Sequence, residues 1–168
     1  MNNPAYMSGA GNPWSEMILY QPRRLTERGV IKIQPKVIQA TRGINRSNNH
    51  THIIWSENGQ LKTVSIGNMS RVGTFHDRGG LTKAGRALEK KGGRGGSVFP
   101  KATGNVREIN MQGQRMLDEI LNHPDKHILF EKPPTLEFET LDVVLPDGRG
   151  ARFTKDGKTM VGFLEPKK

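Results

Sequence analysis

The sequence contains no cysteine, which excludes disulfide frameworks, Cys-based zinc sites, thiol nucleophiles and iron–sulfur clusters. Apolar residues are scarce, at 33% of 168 against roughly 45–50% in ordinary domains, so part of the chain is expected to lie outside a packed core. No stretch approaches the ~18–20 apolar residues of a membrane-spanning segment. The N-terminus lacks the charged-then-apolar order of a signal peptide, so export would need another segment. Common catalytic signatures are missing as well: no Gly-Lys-Ser/Thr phosphate loop, no His-Glu-x-x-His helix and no Gly-x-Ser-x-Gly elbow. Nucleotide hydrolysis and zinc proteolysis fall away with them.

What the chain does have is positive charge: 26 Lys plus Arg against 16 Asp plus Glu, a formal net of +10. Such a field concentrates polyanions, which makes nucleic acid the first expected partner and an acidic protein the second. The charge is uneven. Residues 1–80 carry 10 basic and 4 acidic side chains, 81–115 carry 8 and 2, and 116–168 carry 8 and 10.

Residues 1–49 are rich in Asn, Pro, Gly and Arg, with short apolar clusters at Met17–Tyr20 and Val30–Ile33. They read as an arm or linker with one or two short strands. Near 51–66, Asn58-Gly59 between two β-prone runs predicts a hairpin. Arg78-Gly79-Gly80 breaks the chain. Leu81–Lys91 then has helical spacing, with Leu81, Ala84 and Leu88 on one face and Lys83, Arg86 and Lys90 on another. The glycine-rich stretch from Gly92 to Gly104 is too supple for regular structure, and such a loop can turn backbone N–H groups toward phosphate. Asn105 with Glu108 predicts a capped helix that ends at His123-Pro124. Four strands follow, at 127–132, 136–145, 149–155 and 159–164, separated by Pro133-Pro134, Pro146-Asp147-Gly148 and Asp156-Gly157. The predicted fold class is α+β: two helices packed on a four-stranded antiparallel sheet, preceded by a basic N-terminal extension with a β-hairpin. The expected division is an extension over 1–79, of unassigned role, and a functional domain over 80–168.

Lys90, Lys91, Arg94, Lys101, Thr103, Arg149, Arg152 and Thr154 form the chemical inventory of that domain. These types suit metal-independent RNA cleavage, in which a 2′-hydroxyl attacks the adjacent phosphate while cations stabilise the charge developing on phosphorus. Lys83 and Arg86 would add RNA-binding charge beside Lys90 and Arg149. Strand alternation places Arg152 and Thr154 on one face, opposite Phe153, as a candidate phosphate cradle. Phe163 reads as core. Glu137 and Glu139 could supply a base, although solvated edge charges explain them equally well. His50 and His52, two apart, are compatible with a metal site but read as a solvated strand pair, because no nearby carboxylate completes a ligand set. No cofactor is expected.

Several separated segments then carry a resemblance: Gly80–Leu88, Gly96–Asn105, Gln112-Gly113-Gln114, Pro146–Phe153 and Gly162–Pro166. Together, over residues 80–166, the chain resembles C-terminal toxin domains of bacterial polymorphic toxins of the contact-dependent inhibition and Rhs types. The resemblance implies a small ribonuclease of the barnase, EndoU, colicin and RelE-like fold group, with tRNA as its foremost substrate. It also implies delivery by a larger upstream protein into the cytoplasm of a target bacterium, and neutralisation by a cognate immunity protein, which the charge predicts to be acidic. Carried onto this sequence, it places catalysis on Lys91, Arg94, Lys101, Thr103, Arg152 and Thr154. The related domains usually read Lys-His-Gly and Arg-Pro-Gly where this chain has Lys90-Lys91-Gly92 and Arg94-Gly95-Gly96. Three alternatives follow: Lys91 substitutes electrostatically or with a depressed pKa, another residue such as His76 is the base, or this copy is weak or inactive.

The competing reading is a non-catalytic nucleic-acid-binding protein that holds phosphate with the basic arm and stacks bases on Trp55. A DNase or a deaminase fits less well, lacking a carboxylate-rich metal cluster and Cys ligands respectively.

Overall fold

The structure is a computed structural model that describes residues 51–167, together with the backbone of three earlier strands at 24–27, 30–33 and 36–42. The Met17–Tyr20 cluster and His50 lie outside the described residues. The chain divides into two compact units, Met1–Gly67 and Asn68–Lys168.

In the first unit, β1 (Arg24–Glu27) and β2 (Val30–Ile33) pair as an antiparallel ribbon, and β3 (Lys36–Arg42), β4 (Thr51–Glu57) and β5 (Gln60–Ser65) form a three-stranded antiparallel sheet. The predicted hairpin is β4–β5. Asn58 and Gly59 both take positive φ, 51° and 76°, the backbone twist that a two-residue turn between twisted strands requires. Alternation buries Ile53 and Trp55, and Val64 lies opposite Ile53. Trp55 is 3% exposed and so offers no open face on which a base could stack.

The second unit begins within α1 (Ile66–Gly73), a helix absent from the sequence reading. The residues Gly67-Asn68-Met69-Ser70 gave little local signal, and tertiary contacts hold the element in place. Met69 is fully buried, Ser70 donates to Asp118, and Gln114 donates to the Ser70 carbonyl at 3.1 Å. Helix α2 (Lys83–Gly92) starts at Thr82, whose hydroxyl accepts the Gly85 N–H at 3.1 Å. Helix α3 (Val106–Asn122) starts with the predicted Asn105–Glu108 capping box and stops at His123. Asn110 of α3 binds the chain just ahead of α2, accepting from the Thr82 N–H at 2.8 Å and donating to the Gly80 carbonyl at 3.1 Å.

Strands β6 (His127–Glu131), β7 (Thr140–Val144), β8 (Gly150–Thr154) and β9 (Met160–Leu164) form the antiparallel meander in sequence order. Strand β7 is shorter than its predicted span, because 134–138 is taken up by a turn in which the Leu136 N–H donates to the Pro133 carbonyl. Glu137 and Glu139 therefore precede the strand. Helix α2 packs on β9, and α3 on β7 and β8. Between them lie Leu88, Leu117, Ile120, Leu141, Val143, Ala151 and Phe153, each at most 1% exposed. Phe163 is buried too, stacked on Phe99 at 5.1 Å.

The two helices touch at backbone level. A Cβ on Gly113 would overlap the Ala84 carbonyl and the Gly85 nitrogen. Alanine is worth about 1 kcal/mol more than glycine in a helix interior, but a clash with backbone cannot be relieved by a rotamer and costs up to ~3 kcal/mol. The clash should win: Gly113→Ala is expected to lose about 2 kcal/mol in urea unfolding.

A candidate RNA-binding groove

Helix α2 is amphipathic in the literal sense. Ala84, Ala87 and Leu88 are buried against the rest of the unit, which turns its cations outward. Lys83, Arg86, Lys90 and Lys91 recur at helical spacing along one side. With Arg94 just beyond the helix, Arg78 before it and Arg152 of β8, they line a groove of about 560 Å³. Its other wall is Met160–Leu164 of β9 with Thr135 and Leu136 from the β6–β7 connection. Asp77 is the one carboxylate among the described lining residues.

The cations are not equivalent. Lys83 faces Asp77 at 3.8 Å, and Arg86 pairs with Glu89 at 2.7 Å. Arg152 is committed: its Nε and Nη2 donate to the two oxygens of Asp142 at 2.8 and 2.6 Å, and Nη2 also reaches Glu131 at 3.2 Å. Asp142, its direct cross-strand partner, is 2% exposed, and these hydrogen bonds hold the Arg152 pKa above its ordinary value. Arg78, Lys90, Lys91 and Arg94 form no ion pair with a described residue, so their donors are open to an incoming anion. Lys91 is half-buried at the end of the row. Burial lowers its pKa first, the Arg94 charge next, and Lys90 and Arg152 further, with Glu165 opposing.

Of the residues singled out in the sequence, the groove brings together Lys83, Arg86, Lys90, Lys91, Arg94 and Arg152. The other four lie outside its lining. Lys101 is exposed, though its backbone lies against Gly92 beside Lys91. Thr103 is held through its backbone by Gln112, at 2.7 and 3.3 Å. Arg149 sits beneath α3, bound to Asp147 and Glu119. The Thr154 hydroxyl is used within its turn, donating to Asp156 at 2.7 Å and accepting from the Thr159 N–H at 3.1 Å. Glu139 pairs with Lys155. His76 is exposed, bridging Thr82 through its backbone. His52 lies opposite Ser65 and Thr41, and no group of three or more His or carboxylate side chains among the described residues could hold a metal ion.

Sequence reasoning missed Arg78, Thr135 and Leu136. Arg78 was read only as part of a chain break, Leu136 as the start of a strand, and Thr135 was assigned no role. Their signal is spatial, since the groove gathers residues as far apart in the sequence as Asp77 and Leu164.

The Asp142–Arg152 pair invites a direct check. Removing one partner of a buried, hydrogen-bonded ion pair leaves the other charge stranded. Asp142→Ala should therefore cost about 3 kcal/mol in urea unfolding, even with Glu131 in place.

Comparison with known proteins now bears on this arrangement. No curated protein matches the chain. The crystal structure of the toxic C-terminal tip of CdiA from Pseudomonas aeruginosa in complex with immune protein is similar at 29% sequence identity, with a TM-score of 0.49, over 56% of this chain and 98% of that one. No described helix is long and apolar enough to cross a membrane. The model of the CdiA C-terminal tRNase toxin domain matches residues 71–165, from the end of α1 through the groove to the last strand, and the chain belongs to that family.

Proposed function

We propose that the chain is an endoribonuclease toxin that cuts tRNA, without a metal, by attack of a 2′-hydroxyl on the adjacent phosphate in the α2–β9 groove. The observation that carries this reading is Lys91. It stands half-buried at the end of a cation-lined groove, with its pKa pulled below the ordinary lysine value, in a domain of a tRNase toxin family. Burial and the neighbouring cations favour the neutral amine, which is the form that takes the 2′-hydroxyl proton. The 2′-oxygen then bonds to phosphorus and the bond to the 5′-oxygen breaks. That oxygen leaves with a proton from water in the open groove, giving a 2′,3′-cyclic phosphate and a 5′-hydroxyl. Arg94, which cannot deprotonate, serves by stabilising the extra negative charge on the phosphorane, and Lys90 and Arg78 hold flanking phosphates.

The same field suits an inhibitor. An acidic immunity protein seated over the groove would exploit the unpaired cations for rapid capture and exclude RNA. Delivery into the cytoplasm of a target bacterium as the tip of a larger CdiA-type protein completes the reading.

Incubation of the chain with tRNA and total bacterial RNA, in EDTA and in magnesium, should give discrete fragments with cyclic phosphate ends in both. Intact RNA, bound in a salt-sensitive manner, would favour a non-catalytic binding protein instead. The pH dependence follows from the direction of the Lys91 shift. The neutral form is the base, so the rate should climb with pH toward a lysine pKa below its ordinary value. In Lys91→His the climb should move to below about pH 6.5, because the same burial and cations disfavour the imidazolium form.

Binding separates from cleavage with a 2′-deoxy stem-loop, which cannot react. Each of Lys90→Ala and Arg94→Ala should reduce the slope of log K against log salt by about 0.7, as expected for one lost phosphate contact on a single strand.

A further inference from the structure

The connection between α2 and α3 presents a physical problem. It carries Arg94 between Gly92-Gly93 and Gly95-Gly96, and backbone of this composition has a large conformational entropy to lose. No helix or strand runs through it. Yet Arg94 has a defined place in the groove lining.

A chain of hydrogen bonds accounts for that. The Arg94 N–H donates to the Lys91 carbonyl at 3.1 Å, and the Ser97 N–H donates to the Arg94 carbonyl at 3.3 Å. The Ser97 hydroxyl donates to Glu165 Oε1 at 2.6 Å, while the Val98 N–H reaches Glu165 Oε2 at 3.2 Å. Ser97 Oγ accepts from the Phe99 N–H at 3.1 Å, and the Phe99 ring stacks on Phe163. At the other end Gly92 fits so closely against Pro100 that a Cβ would overlap its carbonyl. Two turns thus lead from Lys91 through Arg94 to Ser97, and the free end is tied to one carboxylate just beyond β9.

That carboxylate is also the anion felt by both cations. Burial works against its ionisation, but the bonds from Ser97 and Val98 and the charges of Lys91 and Arg94 outweigh it and hold its pKa below the ordinary glutamate value. Lys91 in turn is faced by Arg94 from the loop, Lys90 from its own helix, Arg152 from β8 and Glu165 from beyond β9.

We propose that Glu165 is the positioning residue of the groove, holding Arg94 and Lys91 at one end of it through Ser97 and balancing their charge while no RNA is bound. The catalytic consequence rests on the ribonuclease reading above; the positioning does not.

The test compares Glu165→Gln, Glu165→Ala and Ser97→Ala with the parent, in the full chain, by two measurements. Trypsin cleavage after Arg94, followed by mass, needs no RNA and reports how often the loop opens. Glu165→Ala and Ser97→Ala should be nicked about tenfold faster, the effect of losing one or two hydrogen bonds. Glu165→Gln should stay within about twofold of the parent, because its amide can still accept from Val98 and donate to Ser97. The second measurement is the pH profile of tRNA cleavage. Glu165→Gln removes the anion that favours charged Lys91, so its rise should shift to lower pH, whereas Ser97→Ala should lower kcat and leave the rise in place. Parental nicking in both Glu165→Ala and Ser97→Ala would overturn the proposal, and an unmoved pH rise in Glu165→Gln would overturn its claim on Lys91. Faster nicking in variants of a chain that cuts no RNA would uphold the positioning role and remove the ribonuclease reading instead.

Discussion

The constraint on which this domain depends is mutual repulsion along α2. Lys83, Arg86, Lys90, Lys91 and Arg94 lie within three turns of one another. Arg94 and Lys90 both press the Lys91 pKa down, and like charges one turn apart on a helix cost about 0.2–0.5 kcal/mol per pair. A helix under that load stays in place only if its other face is firmly packed. Here that face is Ala84, Ala87 and Leu88, with backbone meeting backbone at Gly113. Small residues on the buried side allow close approach, and long basic ones on the open side keep their charged heads in water while their stems cover apolar surface.

Placement of the carboxylates explains which cations remain available. Residues 116–168 carry more acid than base, and the structure shows where that acid is spent: Asp142 and Glu131 on Arg152, Asp147 and Glu119 on Arg149, Glu139 on Lys155, Asp156 on Thr154. The sheet neutralises itself internally. The α2 segment has fewer acids at hand, and its field is left to point outward.

This division also marks what could be read from the chain beforehand. The capping box at Asn105–Glu108, the Asn58-Gly59 turn and the meander were legible because each is encoded within a few residues. Helix α1 was not, since Met69 is buried and Ser70 is bound to Asp118 and Gln114 of α3, contacts that local propensity does not encode. Alternation correctly put Arg152 and Thr154 on the sheet face opposite Phe153, but it cannot say what sits across a strand pair. Asp142 directly opposite Arg152, and Asp156 within reach of Thr154, change a candidate phosphate cradle into internal hydrogen bonding. Helical periodicity alone carries Lys83, Arg86 and Lys90 to one side of α2, whereas Lys91 was singled out by its place in the resemblance.

The meander has a consequence for how the molecule assembles. Strands that are neighbours in sequence are neighbours in the sheet, so each pairing closes a short loop and loses little chain entropy. The tie between Ser97 and Glu165 spans 68 positions and gains only a hydrogen bond or two for that closure. The tie can close only where β9 and the chain beyond it already stand, so the loop's place is a property of the finished sheet and of Phe99 on Phe163, not of the loop's own sequence.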